Sequence, residues 1–207
     1  NYGETKGADY TGGILGYCSG SITLVSCMNE GTVSGGNCSG GFIGYASGGM
    51  IEYAINGVRV EGGAYLGGIA GYFGGTLNDC QNTGEIAAQS TLIKDNISYS
   101  YLGGLAGYCH TIEGGSNTSA ISGKGQFVGG IVGFLNFDLT GAENDANIQG
   151  TDFVGGIAGK ANGSIDAGIN NGSITGKNYC GGISGQTSGT TTKCKNYGDV
   201  EAVNFVG

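Results

Sequence analysis

Short segments in which apolar residues alternate with polar residues or glycine run along the whole chain, and they return in the same order. The string "YLGGLAGYCH", beginning at Tyr101, contains the pentapeptide GGLAG, and related pentapeptides occur six more times. Their first residues are Gly12, Gly40, Gly67, Gly103, Gly129, Gly155 and Gly181. Such recurrence indicates tandem repeats and not an isolated glycine-rich loop.

The repeat length and the alternation predict the secondary structure. Successive pentapeptides are 28, 27, 36, 26, 26 and 26 residues apart. Each unit holds three short segments in which β-branched and aromatic residues occupy every second position, with Gly or Asn between segments. This pattern predicts strands, and no segment keeps the 3.6-residue period of an amphipathic helix.

A unit this short cannot bury its own apolar face, so we expect the units to stack. Each strand would pair in parallel with its copy one coil away, at about 4.8 Å. The sequence therefore predicts an all-β, right-handed parallel β-solenoid, or β-helix, of about seven coils with three short strands each, forming a rod of roughly 34 Å. We expect residues 1–207 to form a single domain and to be a fragment of a longer protein.

An asparagine occupies the same place in every unit. After Asn1, the column contains Asn29, Asn56, Asn82, Asn117, Asn144, Asn170 and Asn196. At a corner between strands, Asn tolerates left-handed backbone conformations and bonds its own local backbone. It could be a solvated turn residue, but the unbroken column favours a ladder of amide-to-amide hydrogen bonds along the rod. The double glycines are expected to permit close backbone approach or a bend.

The seven cysteines follow the same columns. Cys27, Cys80 and Cys194 share a position that holds Ala or Gly in other units, and Cys18 and Cys109 share another. Cys27 and Cys80 would be about 9.6 Å apart, two coils of a parallel stack, which is too far for a disulfide. We therefore predict free structural thiols. No CxxC pair is present, and we expect neither a metal nor a cofactor.

Charge and hydropathy narrow the range of partners. Charged residues make up 12% of the chain, and the net charge is −8. An acidic surface repels nucleic acid phosphates and anionic membranes. No apolar run approaches the roughly 20 residues that span a bilayer, so we expect no membrane insertion in this segment.

Candidate catalytic residues are sparse. His110 is the only histidine, and its neighbour Cys109 would point to the opposite face of the same strand. Glu52, Glu113 and Asp166 share a column, but uncharged residues interleave with them. We expect a solvated outer face and no enzymatic activity. The alternative is a carbohydrate-active enzyme of the polysaccharide lyase or glycosidase type, which would need carboxylates converging on one face.

One unit is longer than the rest. The 36-residue interval places an insertion at residues 89–100, "QSTLIKDNISYS". Insertions in solenoids emerge as loops on one face, often the binding face. This one mixes apolar and charged side chains, and the predicted ligand-binding residues are Leu92, Ile93, Lys94, Asp95 and Tyr99. Alternatively, the insertion is neutral and packs on its own coil.

The repeat resembles a known motif. "NNGSITGKNYCGGISG" (residues 170–185) and "NDANIQGTDFVGGIAG" (residues 144–159) look like the GLUG motif of bacterial surface proteins. The resemblance extends over nearly the whole chain. It implies a secreted or surface-anchored bacterial protein of the adhesin-like or IgA-protease-like kind, in which the repeats have no assigned activity. We therefore expect a non-catalytic structural or adhesive stalk, with a host glycan or a surface or matrix protein as partner.

Overall fold

The computed structural model describes residues 1–89 and 100–207. Within these residues all regular structure is β-strand, and every strand pairs in parallel with its counterpart in the neighbouring coil. Three sheets run along the rod, and the third sheet contributes one strand to each of seven coils. The predicted parallel β-solenoid of about seven coils, with three sheets, is confirmed.

The first sheet has 14 strands arranged as two columns, which merge at the long strand Ile174–Gly181. Its strands are Thr5–Lys6, Tyr10–Gly12, Val33–Ser34, Cys38–Gly40, Val60–Gly62, Tyr65–Gly67, Ile86–Ala88, Tyr101–Gly103, Ile121–Ser122, Phe127–Gly129, Ile148–Gln149, Phe153–Gly155, Ile174–Gly181 and Val200–Val206.

The second sheet has ten strands and the third has seven. The second sheet contains Leu15–Val25, Ile43–Glu52, Ala70–Asn78, Ala106–Glu113, Val132–Leu135, Leu139–Thr140, Ala158–Ala161, Ile165–Asp166, Ser184–Thr187 and Thr191–Thr192. The third contains Met28–Asn29, Ile55–Asn56, Gln81–Asn82, Ser116–Asn117, Glu143–Asn144, Ile169–Asn170 and Lys195–Asn196.

The interior holds two separate apolar clusters. The larger one contains the aliphatic residues of the GGxxG pentapeptides, such as Ile69 and Leu105, and the inward side chains of the second sheet, such as Leu77. The smaller one lies between the two columns of the first sheet, where Ile86 packs with Leu66. Because every coil places the same residue types at the same positions, both clusters continue from coil to coil.

The asparagine column forms the predicted ladder. Each side-chain amide donates to the Oδ1 of the asparagine in the next coil, beginning at Asn1, with N···O distances of 2.7–3.0 Å. The same amide also donates to the carbonyl two residues ahead, as from Asn82 to Gly84 at 2.9 Å. The members from Asn29 to Asn170 are fully buried. A buried amide that lacked these partners would cost free energy, so the asparagine side chains can be buried because the ladder satisfies their hydrogen bonds.

The double glycines make room for this ladder. A Cβ on Gly104 would overlap the side chain of Asn117, and Gly130 has the same relation to Asn144. The preceding glycine of each pair is equally restricted: a Cβ on Gly67 would collide with backbone atoms of Ala70 and Ala106. The expected close backbone approach is confirmed.

The left-handed backbone positions are not at the asparagines, and that part of the expectation was wrong. Tyr179 and Phe205 in the first sheet are left-handed, and the largest set lies three residues before the asparagines, at the corner between the second and third sheets. The non-glycine members are Ser26, Tyr53, Asp79, Ala167 and Lys193, with φ between 47° and 55°, while Gly114 and Gly141 take the same place in the other coils. The asparagine side chain supplies hydrogen bonds after the corner and leaves the bend itself to another residue.

Replacing Asn117 by Ala tests the ladder. The change removes the acceptor of Asn82 and the donor to Asn144. We expect the free energy of unfolding to fall by about 3 kcal/mol, because buried amide groups lose partners. Denaturant titration measures the effect, and Asn171→Ala is the matched control. Asn171 is exposed and bonds only Glu143 and Asp145 on the surface, so we expect a loss below about 0.5 kcal/mol. Equal losses in the two variants would refute a stabilising ladder.

Candidate functional site

The strands that flank the insertion keep the register of the solenoid. Gln89 N donates to Gly62 O at 2.8 Å, and Tyr101 N donates to Ala64 O at 2.6 Å. Gln89 and Ser100 therefore take the places of two consecutive residues in the coil below. The ten residues between them, 90–99, are the additional length.

The predicted ligand-binding residues Leu92, Ile93, Lys94, Asp95 and Tyr99 lie outside the described residues. Their role stays a prediction.

The carboxylate column exists, but its members have separate partners. Glu52 accepts a hydrogen bond from Asn78, which lies between Glu52 and Glu113 in the register. Asp166 accepts from Thr192 at 2.6 Å and pairs with Lys193 at 3.3 Å. These hydrogen bonds lower the pKa of Asp166, whereas a general acid needs a raised pKa.

Cys109 and His110 do not form a dyad. The Cys109 side chain is fully buried in the larger core cluster, where its Sγ lies 3.3 Å from the carbonyl of Thr111. The His110 ring is half-buried on the outer side and packs edge-on against Phe137 at a centroid distance of 5.0 Å. Alternation along one strand separates the two side chains, as the sequence predicts.

All seven cysteines are free, as predicted. Cys38, Cys80, Cys109 and Cys180 are buried, and Cys18, Cys27 and Cys194 are half-buried. Burial raises the pKa of Cys80 to about 11 and that of Cys109 to about 12. The pKa of Cys38 rises to about 12, mainly through burial and further through the charge of Asp9. Thiols of this kind react slowly, because the thiolate is the nucleophile.

Two columns of stacked aromatic rings form the most distinctive outer surface, which we term the aromatic ribbon. The first column, two positions before each double glycine, contains Tyr65, Tyr101, Phe127, Phe153, Tyr179 and Phe205, with centroids 4.9–5.2 Å apart. The second column, directly after each pentapeptide, contains Tyr17, Tyr45, Tyr72, Tyr108 and Phe134, with centroids 4.3–5.3 Å apart. Edge-to-face contacts join the columns, as between Tyr101 and Phe134 at 5.7 Å.

The first column is visible in the sequence as an aromatic residue two positions before most of the double glycines, whereas the second was not predicted. The signal was present, because the residue after each GGxxG is aromatic in five units before it becomes Lys160 and Gln186. Lys160 ends the second column by placing its ammonium group 5.7 Å from the Phe134 ring centre. The two columns lie on different strands that meet at a corner, so only the folded coil brings them together.

Ring orientation limits what the aromatic ribbon can bind. Rings within a column are within 23° of parallel, so neighbours cover both faces of each interior ring. The edges and the tyrosine hydroxyls face outward. Burial, followed by the neighbouring phenols, raises the pKa of Tyr65 to about 12 and also raises that of Tyr108. Within residues 1–89 and 100–207, the ribbon therefore presents no open row of ring faces on which sugars could stack.

In comparisons with known proteins, no family model, no curated protein and no solved structure matches the chain. Across residues 1–89 and 100–207, no group of three or more His, Cys, Asp or Glu side chains is arranged to hold a metal ion. No helix in that part of the chain is long and apolar enough to cross a membrane.

Thiol accessibility tests the placement of the cysteines. In native protein at mildly alkaline pH, we expect an alkylating reagent to modify the three half-buried cysteines, Cys18, Cys27 and Cys194, well before the four buried ones. After unfolding without a reductant, all seven should react. Mass spectrometry of the alkylated peptides identifies the sites. A total below seven after unfolding would indicate disulfides and contradict the assigned columns.

Proposed function

We propose that this chain is a structural or adhesive stalk segment of an extracellular bacterial surface protein and that it is not catalytic. The observation that carries the proposal is the continuity of the asparagine ladder through every coil, from Asn1 to Asn196. Because each coil adds about 4.8 Å along the axis, the number of coils sets the length of the rod. The resemblance to GLUG repeats supports a secreted or surface-anchored location.

The cysteine arrangement is compatible with an oxidising exterior. The buried thiols have raised pKa values, and Cys27 and Cys80 are two coils apart in their column, beyond the reach of a disulfide. Buried thiols with raised pKa values form disulfides slowly even where disulfides normally form, because the thiolate is the reactive species.

The carboxylate column provides the test against the alternative. Glu52 and Glu113 are two coils apart, about 9.6 Å along the rod and near the upper limit for an inverting glycosidase. They flank Asn78 on an outer sheet face, where Asp79, Gly114 and Thr140 form only a shallow depression. A polysaccharide lyase or glycosidase is the second candidate, and release of sugar from a polysaccharide would support it.

We assign recognition to residues 89–100, because this insertion is by far the largest excess over the 26-residue repeat. The partner proposed is a host glycan or a surface or matrix protein. Everywhere else the outer surface repeats from coil to coil, and the depressions found on the described residues are open and shallow. A uniform rod offers few distinct pockets of the kind that ligands require.

Deletion of residues 90–99 tests this assignment. The deletion joins Gln89 to Ser100, which restores a 26-residue interval and matches Gly63 and Ala64 in the coil below. We expect the variant to keep its thermal midpoint and to lose binding to panels of host glycans and matrix proteins. The control is Lys177→Ala, a single change on a regular coil.

Three outcomes would count against the proposal. Unfolding of the deletion variant would make the insertion structural, and unchanged binding would place recognition on the regular faces. The third outcome is that the intact chain releases sugar from a polysaccharide and that Glu52→Gln or Glu113→Gln abolishes this activity. The proposal of an enzyme would then replace the proposal of a stalk.

A further inference from the structure

The second column of the aromatic ribbon places four consecutive tyrosines face to face. The ring centres of Tyr17 and Tyr45 are 5.0 Å apart, those of Tyr45 and Tyr72 are 4.7 Å apart, and those of Tyr72 and Tyr108 are 4.3 Å apart. The last pair is also the most nearly parallel of the three, with 4° between the ring planes.

Stacked tyrosines can react with one another as well as pack. Tyr72 and Tyr108 pair in register, and their rings are nearly parallel with centres 4.3 Å apart. The ring carbon beside one phenol oxygen is therefore held close to the ring of the other tyrosine. These carbons carry unpaired electron density when a phenol loses an electron and a proton.

We propose that this column is a site of oxidative tyrosine cross-linking, with Tyr72 and Tyr108 as the preferred pair. The oxidant is a peroxidase with hydrogen peroxide. It removes one electron and the hydroxyl proton from each tyrosine, and the peroxide takes up both electrons and both protons to form two water molecules. The two phenoxyl radicals join through their ortho carbons. Each ortho hydrogen then moves to its phenol oxygen, so the product is dityrosine and the protein has lost two hydrogen atoms.

The surroundings favour this column over the contacts between columns, such as Tyr65 with Tyr72, whose ring centres are 5.9 Å apart with 73° between the ring planes. Phe134 follows Tyr108 in the stack and has no hydroxyl group, so the series of tyrosines ends there. In the first column, Tyr65 and Tyr101 are 4.9 Å apart but inclined by 23°, and Phe127 follows them. The rings of Tyr72 and Tyr108 are half-buried, so part of each ring is exposed to the peroxidase.

The cross-link would add a covalent bond between coils that are otherwise held only by hydrogen bonds and packing. Joining residues 72 and 108 closes a loop of the chain and reduces the entropy of the unfolded state. We expect the oxidised protein to melt about 5 to 10 °C higher than the untreated protein. This inference concerns the strength of the rod and does not depend on its proposed location or partner.

The experiment treats dilute intact chain with a peroxidase and hydrogen peroxide and follows dityrosine fluorescence. We expect a monomeric product lighter by two hydrogen masses, with peptide mapping that joins Tyr72 to Tyr108. Unfolded protein in urea is the first control, and we expect it to lose the preference for this pair. Comparable yields of the 72–108 peptide in native and unfolded protein would overturn the proposal.

Phenylalanine variants identify the pair without removing a ring, and Phe134 shows that phenylalanine fits this column. In Tyr108→Phe the 72–108 peptide should disappear while the 45–72 peptide remains. In Tyr72→Phe both should disappear. Tyr53→Phe is the matched control, because Tyr53 is exposed and has no ring contact within the described residues, and we expect it to leave the 72–108 peptide unchanged. Cross-links found mainly in dimers, or mainly at Tyr2, Tyr53 or Tyr197, would refute the proposal.

Discussion

Parallel stacking in register is the constraint on which every other feature of this protein depends. Once a strand pairs with its own copy in the next coil, each side chain lies about 4.8 Å above an equivalent side chain. The residue at each position must then fit its own environment and also interact favourably with an identical or similar residue in the next coil. Asparagine meets this condition because its amide both donates and accepts, so Asn82 donates to Asn117 while it accepts from Asn56. Aromatic rings meet it by stacking, and aliphatic residues meet it by packing into the two continuous clusters.

The same constraint explains the glycine content. The ladder brings the Asn117 side chain so close to Gly104 that no larger residue fits there, and the backbone beside Gly67 is equally crowded. These glycines hold two layers of backbone close together. Where the chain bends most sharply, between the second and third sheets, the structure uses non-glycine residues such as Asp79 in the left-handed region. Strain at those corners is tolerated because hydrogen bonds between coils hold each one, as from Asp79 N to Glu113 O.

The repeat places side chains of the same kind in columns along the described coils. Carboxylates that share a column are held apart by intervening polar residues, and the best-defined of them, Asp166, is paired with Thr192 and Lys193. The seven cysteines are free thiols. The aromatic ribbon brings phenol rings close together, with the ring centres of Tyr72 and Tyr108 4.3 Å apart. A rod of this kind suits mechanical extension, and its recognition of a partner would depend on what is added to the coils.

The sequence by itself determined the repeat, the parallel solenoid, the asparagine ladder, the close approach at the double glycines and the free cysteines, because each is a property of a column and columns can be read from spacing. Three features were decided by the tertiary structure. The left-handed corner has no residue signature, since Ser26, Tyr53 and Ala167 share only a backbone angle. The aromatic ribbon joins two columns across a corner, and spacing along the chain does not say which columns meet. The first and last residues of the insertion could be identified only from the coil below, because hydrogen bonds from Gln89 and Tyr101 to that coil show where the regular coil stops and resumes.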